Sequence, residues 1–393
     1  MKPLMTILLA LALTATTAAQ TRFEPLTAEA AALVARGDSC MHMNDTYNSL
    51  LCYEQARLLV FNDTVLYKLA QTNFRRGQFN QCLALTDTLL ADTLTYQPLK
   101  LRYNCLQKMG ADDSLRIECA RQIIGINPLD AAVVTDIATF FNGNQQADSA
   151  MAYCNLYRRI DSTNQLVNKQ LGRALFIKKD YYPALDLFLD AYRNGDQTPA
   201  LLFYIGRTYE CCSIPERAHE FMQMAAYGSN FASLPIVKAL ARVSASSVKY
   251  RDDVLYYTQV AFELCQADSA SMAEVFDIKA RFYEAYAYQY YDSDKLKFNT
   301  CNYNSIKMLK SALQYEPTLT RQYNIAVAYG RIHDRDNERL WLQKIKDSDQ
   351  PRTKANRSIF EYADYRLDKL KEDEFFEGGK KTDNGIEIVE VED

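Results

Sequence analysis

The chain is poor in the residues that most reactive centres need. It has one Trp (Trp341) and three His (His42, His219, His333), far apart in sequence and outside any HExxH pattern. No CxxC pair occurs among the ten Cys, so the usual zinc spacings are missing. No GxSxG elbow is present, and Gly378-Gly379-Lys380-Lys381-Thr382 lacks the earlier Gly of a phosphate-binding loop. Asp334 and Asp336 beside His333 read as a helix–helix turn rather than a metal site. The expectation is no enzyme, no catalytic residue, no cofactor and no metal.

Gly (13) and Pro (10) are scarce in 393 residues, whereas β-rich folds use both freely in their turns. A concentrated basic face is also missing: 45 Lys and Arg stand against 49 acids, a formal charge of −4, and nucleic acid is not the expected partner. With 48% hydrophobic residues, the chain as a whole is not disordered. After residue 19 no stretch is long and apolar enough to span a membrane.

The opening MKPLMTILLALALTATTAA has the parts of a secretory leader. Lys2 supplies the positive start, residues 4–13 the apolar run, and Thr17-Ala18-Ala19 a small-residue cleavage site. That run is too short to cross roughly 30 Å of hydrocarbon. Cleavage after Ala19 and a periplasmic, non-membrane-spanning mature chain are expected. The mature chain would carry 44 basic against 49 acidic residues, or −5. Residues 372–393 hold nine acids and two Lys, or −7, which leaves +2 on the body. The acidity belongs to the tail, which has no core to join and is expected to be disordered from residue 374 on. The ten Cys are irregularly spaced, and buried thiols are the expected state.

Internal repetition decides the architecture. QLGRALFIKKDYYPALDLFLDAY and YIGRTYECCSIPERAHEFMQMAAY place Gly172 and Gly206 34 residues apart. Ala184 and Ala218 follow each Gly by 12, Ala191 and Ala225 by 19, and Ala138, Ala150 and Tyr157 hold the same places one step earlier. Residues 66–90 fit as well, with Ala70, Gly77, Phe79 and Cys82, while Gly37, Tyr53 and Ala56 mark an earlier copy. Residues 99–128 keep the helical period with an extra residue around Gly110-Ala111-Asp112. Ala312 and Pro317, after a longer helix over 276–291, and then Ile325, Ala326, Tyr329 and Leu342, mark later copies. Residues 233–264 match poorly, and Ser244–Ser247 reads as an atypical turn.

These residues resemble the tetratricopeptide repeat family, a helix–turn–helix unit of 34 residues. The resemblance implies an all-α, right-handed α-solenoid of about nine units over residues 20–347. Residues 348–373, with Ile359, Tyr362, Ala363 and Leu367 at helical spacing, suit a polar-faced capping helix. The small residues let two helices approach closely, and Leu175, Phe188, Tyr209 and Met222 fill the seam.

In this family the first helix of each pair lines a binding groove. Carrying over those positions selects Tyr67, Gln71, Phe74 and Arg75, then Lys169, Arg173 and Phe176, then Phe203, Arg207 and Glu210, and finally Tyr323 and Arg331. Lys169, Arg173 and Arg207 would form a basic strip that meets a protein or peptide partner, with an envelope or outer-membrane complex as the expected setting. The Asn residues of the family's carboxylate clamp are not matched. Two alternatives stand beside this: a SusD-like glycan-binding or enzyme-associated helical-repeat protein, although the lipid-anchor Cys and large insertion of those receptors are absent, and a purely structural, oligomer-forming solenoid. Seven Asp-Ser/Thr triplets begin at Asp63, Asp87, Asp92, Asp113, Asp148, Asp161 and Asp268. Helix capping explains such triplets. They also resemble the O-glycosylation signal of some bacterial envelope proteins, which makes Thr64, Thr93, Ser114, Ser149, Ser162 and Ser269 acceptors.

Overall fold

The computed structural model describes residues 23–266 and 268–376. The expected leader, its cleavage site and the tail beyond residue 376 lie outside the described residues. Those described contain nineteen α-helices and no strand. The chain divides into two compact units, the first ending at Leu171 and the second beginning at Gly172.

The first unit is a run of helical hairpins: α1 (Ala28–His42) with α2 (Thr46–Leu59), α3 (Asp63–Arg75) with α4 (Phe79–Leu90), α5 (Tyr96–Lys108) with α6 (Asp113–Ile126), and α7 (Ala131–Gly143) with α8 (Ala147–Arg158). The unit boundary falls inside α9 (Gln165–Ile177). The second unit continues with α10 (Tyr181–Arg193), the pair α11 (Pro199–Cys211) and α12 (Pro215–Gly228), and the pair α13 (Leu234–Ser244) and α14 (Arg251–Cys265). Longer helices follow, α15 (Ser269–Tyr288) and α16 (Lys295–Tyr315), then α17 (Leu319–Arg331) with α18 (Arg335–Lys346), and α19 (Arg357–Phe376) ends the described chain. An all-α helical-repeat architecture is thus what the 34-residue period encodes.

The small residues sit where helices touch. A Cβ on Gly172 would come within 2.7 Å of the Phe188 ring, and one on Gly206 within 2.6 Å of Met222 Cγ. Phe188 and Met222 are 1% and 0% exposed, each burial contributing about 1.5–3 kcal/mol. Ala150, Ala184 and Ala218 are fully buried at the equivalent places.

The turns repeat as faithfully as the helices. Gln145, Lys179 and Ser213, again 34 apart, adopt left-handed φ of 59°, 67° and 60°. This conformation lets the next amides turn back: Ser213 N–H donates to Glu210 O at 3.0 Å, and Ile214 N–H to Tyr209 O at 3.0 Å. The helices that follow these three turns start without a side-chain cap, whereas others have one, as when Asn62 Oδ1 accepts from Thr64 N–H at 2.9 Å and Asp334 Oδ1 from Asn337 N–H at 3.2 Å.

Three expected boundaries move. The poorly matching residues 233–264 form the same hairpin as the rest, with a 3-10 turn at Val248–Tyr250 inserted before α14. The long helix expected over 276–291 spans Ser269–Tyr288 instead, started by Asp268 Oδ1 accepting from Ala270 N–H. The last helix begins at Arg357, after a turn in which Asn356 Oδ1 accepts from Thr353 N–H at 2.7 Å. It buries Phe360, Ala363, Leu367 and Leu370 against Leu319, Ala326, Leu342 and Ile345.

Candidate functional site

In the second unit the first helices of successive hairpins are laced together by charge. Arg242 on α13 donates to both carboxylate oxygens of Glu210 on α11, at 2.8 and 3.2 Å. Lys238 on α13 reaches Glu274 on α15 at 2.6 Å. Arg321 on α17, 7% exposed, donates from Nε and Nη2 to Asp277 on α15 at 2.8–3.1 Å, and from Nη1 to Glu316 Oε2 at 3.1 Å. Arg331 pairs with Glu284 on α15 at 2.6 Å and lies over the Tyr288 ring. Hydrogen bonds from Arg321 to Asp277 raise its guanidinium still further above the physiological range.

These pairs frame two clefts. One, of about 260 Å³, lies among α15, α16 and α17 and is lined by Asp277, Arg281, Glu284, Arg321, Asn324 and Arg331. The other, of about 560 Å³, is lined by Glu210, Pro215, Arg242, Val243, Ile278 and Arg281. In both, the cations neutralise the acids one for one, except for Arg281. That exposed guanidinium lines both clefts and makes no hydrogen bond or ion pair among the described residues. Asn324, exposed beside it, makes none either. Burial pushes the Glu210 carboxyl above its usual range, with Arg207 acting against the rise.

The groove residues expected from the sequence fall into separate groups. Arg173, Phe176 and Phe203 converge on Tyr204: the Arg173 guanidinium is 5.1 Å from the ring centroid, and the two Phe rings meet it edge-on at 6.1 and 5.9 Å. Lys169 stands one helical turn before Arg173 on α9. Arg207 pairs with Glu210 at 3.5 Å. Tyr323 is taken up by an edge-on contact with Tyr362 of α19, 5.0 Å between centroids.

Tyr67, Gln71, Phe74 and Arg75 lie on α3 in the first unit. Tyr67 Oη donates to Gln97 Oε1 at 3.2 Å, and Phe74 packs edge-on against Phe79. Gln71 and Arg75 border a cleft of about 200 Å³ with Asp38, His42, Tyr53 and Lys68. Burial pushes the Asp38 carboxyl up, but hydrogen bonds from Lys68 at 2.8 Å and Tyr53 at 2.5 Å outweigh it and hold the group below its ordinary range.

Of the Ser/Thr acceptors, Thr64, Thr93, Ser114, Ser162 and Ser269 are exposed, and Ser149 is half-buried in the first turn of α8. Capping by the triplet Asp holds at Asp268, which caps α15, and Asp161 Oδ1 accepts from Thr163 N–H at 2.9 Å. It does not hold at Asp63 and Asp113, where the preceding Asn62 and Asp112 are the caps. Among the described residues no cluster of His, Cys, Asp and Glu is placed to hold a metal, and no helix is long and apolar enough to cross a membrane.

Arg281 and Arg242 are the residues that sequence reasoning missed. A 34-residue step from Arg173 and Arg207 lands on Ala241, one short of Arg242, so tolerance of a single inserted residue would have found it.

No protein-family model and no curated protein matches this chain. Several solved structures are similar in fold. A tetratricopeptide repeat protein from Parabacteroides merdae ATCC 43184 is 10% identical, with 76% of this chain and 98% of that one covered and a TM-score of 0.42. YrrB, described as a TPR protein with an unusual peptide-binding site, is 17% identical over 55% of this chain and 97% of its own, at 0.40. The APC/C hetero-tetramer Cut9-Hcn1 is 14% identical over 92% of this chain and 81% of that one, at 0.46.

Proposed function

We propose that the protein is a non-catalytic interaction module that docks an acidic peptide segment of a protein partner against α15 of the second unit. The observation that carries this reading is Arg281, the one exposed cation lining both clefts whose charge no neighbour among the described residues offsets. A guanidinium recognises a carboxylate through two parallel N–H donors, and the side-chain amide of Asn324 can add a further bond. The surrounding ion pairs hold the helices that shape both clefts, so little ordering is needed on binding. The work would be done in the periplasm, within an envelope assembly. That location rests on the leader at residues 1–19.

A peptide array of acidic and matched amide sequences tests the reading. The mature chain should retain acidic peptides, with affinity falling as salt rises. Arg281→Glu should lose them while its circular dichroism stays that of the parent. Equal retention of acidic and amide peptides, or full binding by Arg281→Glu, would overturn it.

A further inference from the structure

The Arg281 clefts and the last residues of the sequence have matching chemistry. Arg281 lines both clefts with a charge that no described neighbour offsets, and the larger cleft sets Val243, Ala245, Ile278 and Ala285 beside it. An occupant that fits such a surface carries carboxylates and aliphatic side chains in one stretch. Residues 385–393, GIEIVEVED, hold four of each and no cation. The whole segment after Phe376 has six acids against Lys380 and Lys381, or −4.

The fold delivers that segment close by. α17 lies between α15 and α19: Arg321 and Arg331 tie it to Asp277 and Glu284 of α15, and Tyr323 meets Tyr362 of α19. Arg366, one turn after Tyr362, pairs with Glu338, and Glu338 lies against Gly330. α19 therefore runs in the same direction as α17. Its C-terminal end leaves on the side of Arg331, which lines the smaller cleft. Two helix spacings of about 8–10 Å separate α19 from α15. Residues 377–384 alone can extend to roughly 26–29 Å, more than that lateral distance, before residues 385–393 begin.

We propose, resting on the acidic-peptide reading of these clefts, that residues 385–393 occupy them in their own chain and compete with the partner's acidic segment. Tethering holds such a segment at a local concentration on the order of 1 mM, so a tail that binds with a Kd of about 0.1 mM raises the partner's apparent Kd about tenfold. A partner that binds displaces residues 385–393, which couples occupancy of the clefts to exposure of the tail.

Anisotropy of a fluorescein-labelled GIEIVEVED peptide, titrated with the full mature chain, tests the competition. The parent is compared with a variant carrying Glu387→Gln, Glu390→Gln, Glu392→Gln and Asp393→Asn, and circular dichroism confirms that both are folded. The variant should bind the free peptide about tenfold more tightly than the parent. Adding Arg281→Glu should remove binding from both. Equal affinities would overturn the proposal, and so would a gain that survives Arg281→Glu, since the tail would then act elsewhere. A gain that disappears as the protein is diluted would also overturn it, because the competing tail would belong to a second copy. If the labelled peptide binds neither chain while other acidic peptides are retained through Arg281, the tail is not the occupant and the acidic-peptide reading stands. If no acidic peptide binds even the neutral-tail variant, both fall together.

Discussion

Glu338 of α18 and Arg366 of α19 form a two-pronged ion pair, Nε to Oε1 at 2.6 Å and Nη2 to Oε2 at 3.1 Å, with the glutamate 1% exposed. Position 338 lies 12 residues after Ala326, where Ala150, Ala184 and Ala218 stand in the central hairpins. A carboxylate fits there because Gly330 leaves room: a Cβ on that residue would come within 2.8 Å of Glu338 Oε1. Where other hairpins use a small residue to dock the next helix, the last one uses a buried charge.

Removing one partner should therefore be worse than removing both. Arg366→Leu strands a buried carboxylate and should cost about 2–3 kcal/mol, below the full range for a buried pair because the arginine is partly exposed. Adding Glu338→Ala restores the central hairpins' solution and should recover most of that loss. Urea melts of the two variants decide it, and a double variant no more stable than the single would show that the pair is not what the carboxylate requires.

A second prediction concerns the close approach at Gly206. A Cβ there meets Met222 Cγ at 2.6 Å, and also the Ala218 carbonyl and Met222 amide at 3.2 Å, which are backbone and cannot swing aside. Gly206→Ala should destabilise by about 1–3 kcal/mol and Gly206→Leu by more, because α11 and α12 must separate. Melting temperatures that match the parent would place the glycine in open space.

The central hairpins were legible because their contacts are local. Gly172 and Phe188, or Gly206 and Met222, are 16 residues apart on one hairpin, so their size pairing shows in the order of residues. The hairpin of α13 and α14 hid behind the three residues of its 3-10 turn, and α15 and α16, at 20 and 21 residues, break the 34-residue count altogether. The candidate site suffers most from that break. Arg321 finds Asp277, and Arg331 finds Glu284, 44 and 47 residues back, spacings that no motif announces. Arg281 is conspicuous only once those neighbours are known to be paired.

A third prediction addresses the turns. Ser213 holds φ +60°, a conformation that costs a side-chain-bearing residue about 1–2 kcal/mol and glycine almost nothing. Glycine loses about 0.5–1 kcal/mol of chain entropy on ordering. Ser213→Gly should therefore stabilise by roughly 0.5–1 kcal/mol, as Gly77 already does at the same place in the second hairpin. A chemical melt reads the difference, and a destabilised variant would mean that the serine side chain contributes more than its backbone strain costs.

The last prediction concerns acid. His219 on α12 is 6% exposed, stacked on Tyr250 with centroids 3.9 Å apart, and its Nε2 lies 3.4 Å from Asp253 Oδ2. Burial lowers its pKa, Lys249 adds to the fall, and Asp253 opposes both. With the folded pKa below the unfolded value near 6.5, the unfolded chain binds the proton more readily. Stability from this residue is therefore fully present above about pH 6.5 and drains away as pH falls towards the folded pKa. His219→Phe keeps a ring against Tyr250 but has nothing to titrate. Between pH 7.5 and 5.5 the parent should lose more of its melting temperature than this variant does. Parallel curves would show that the imidazole gains from Asp253, once protonated, as much as burial takes from it.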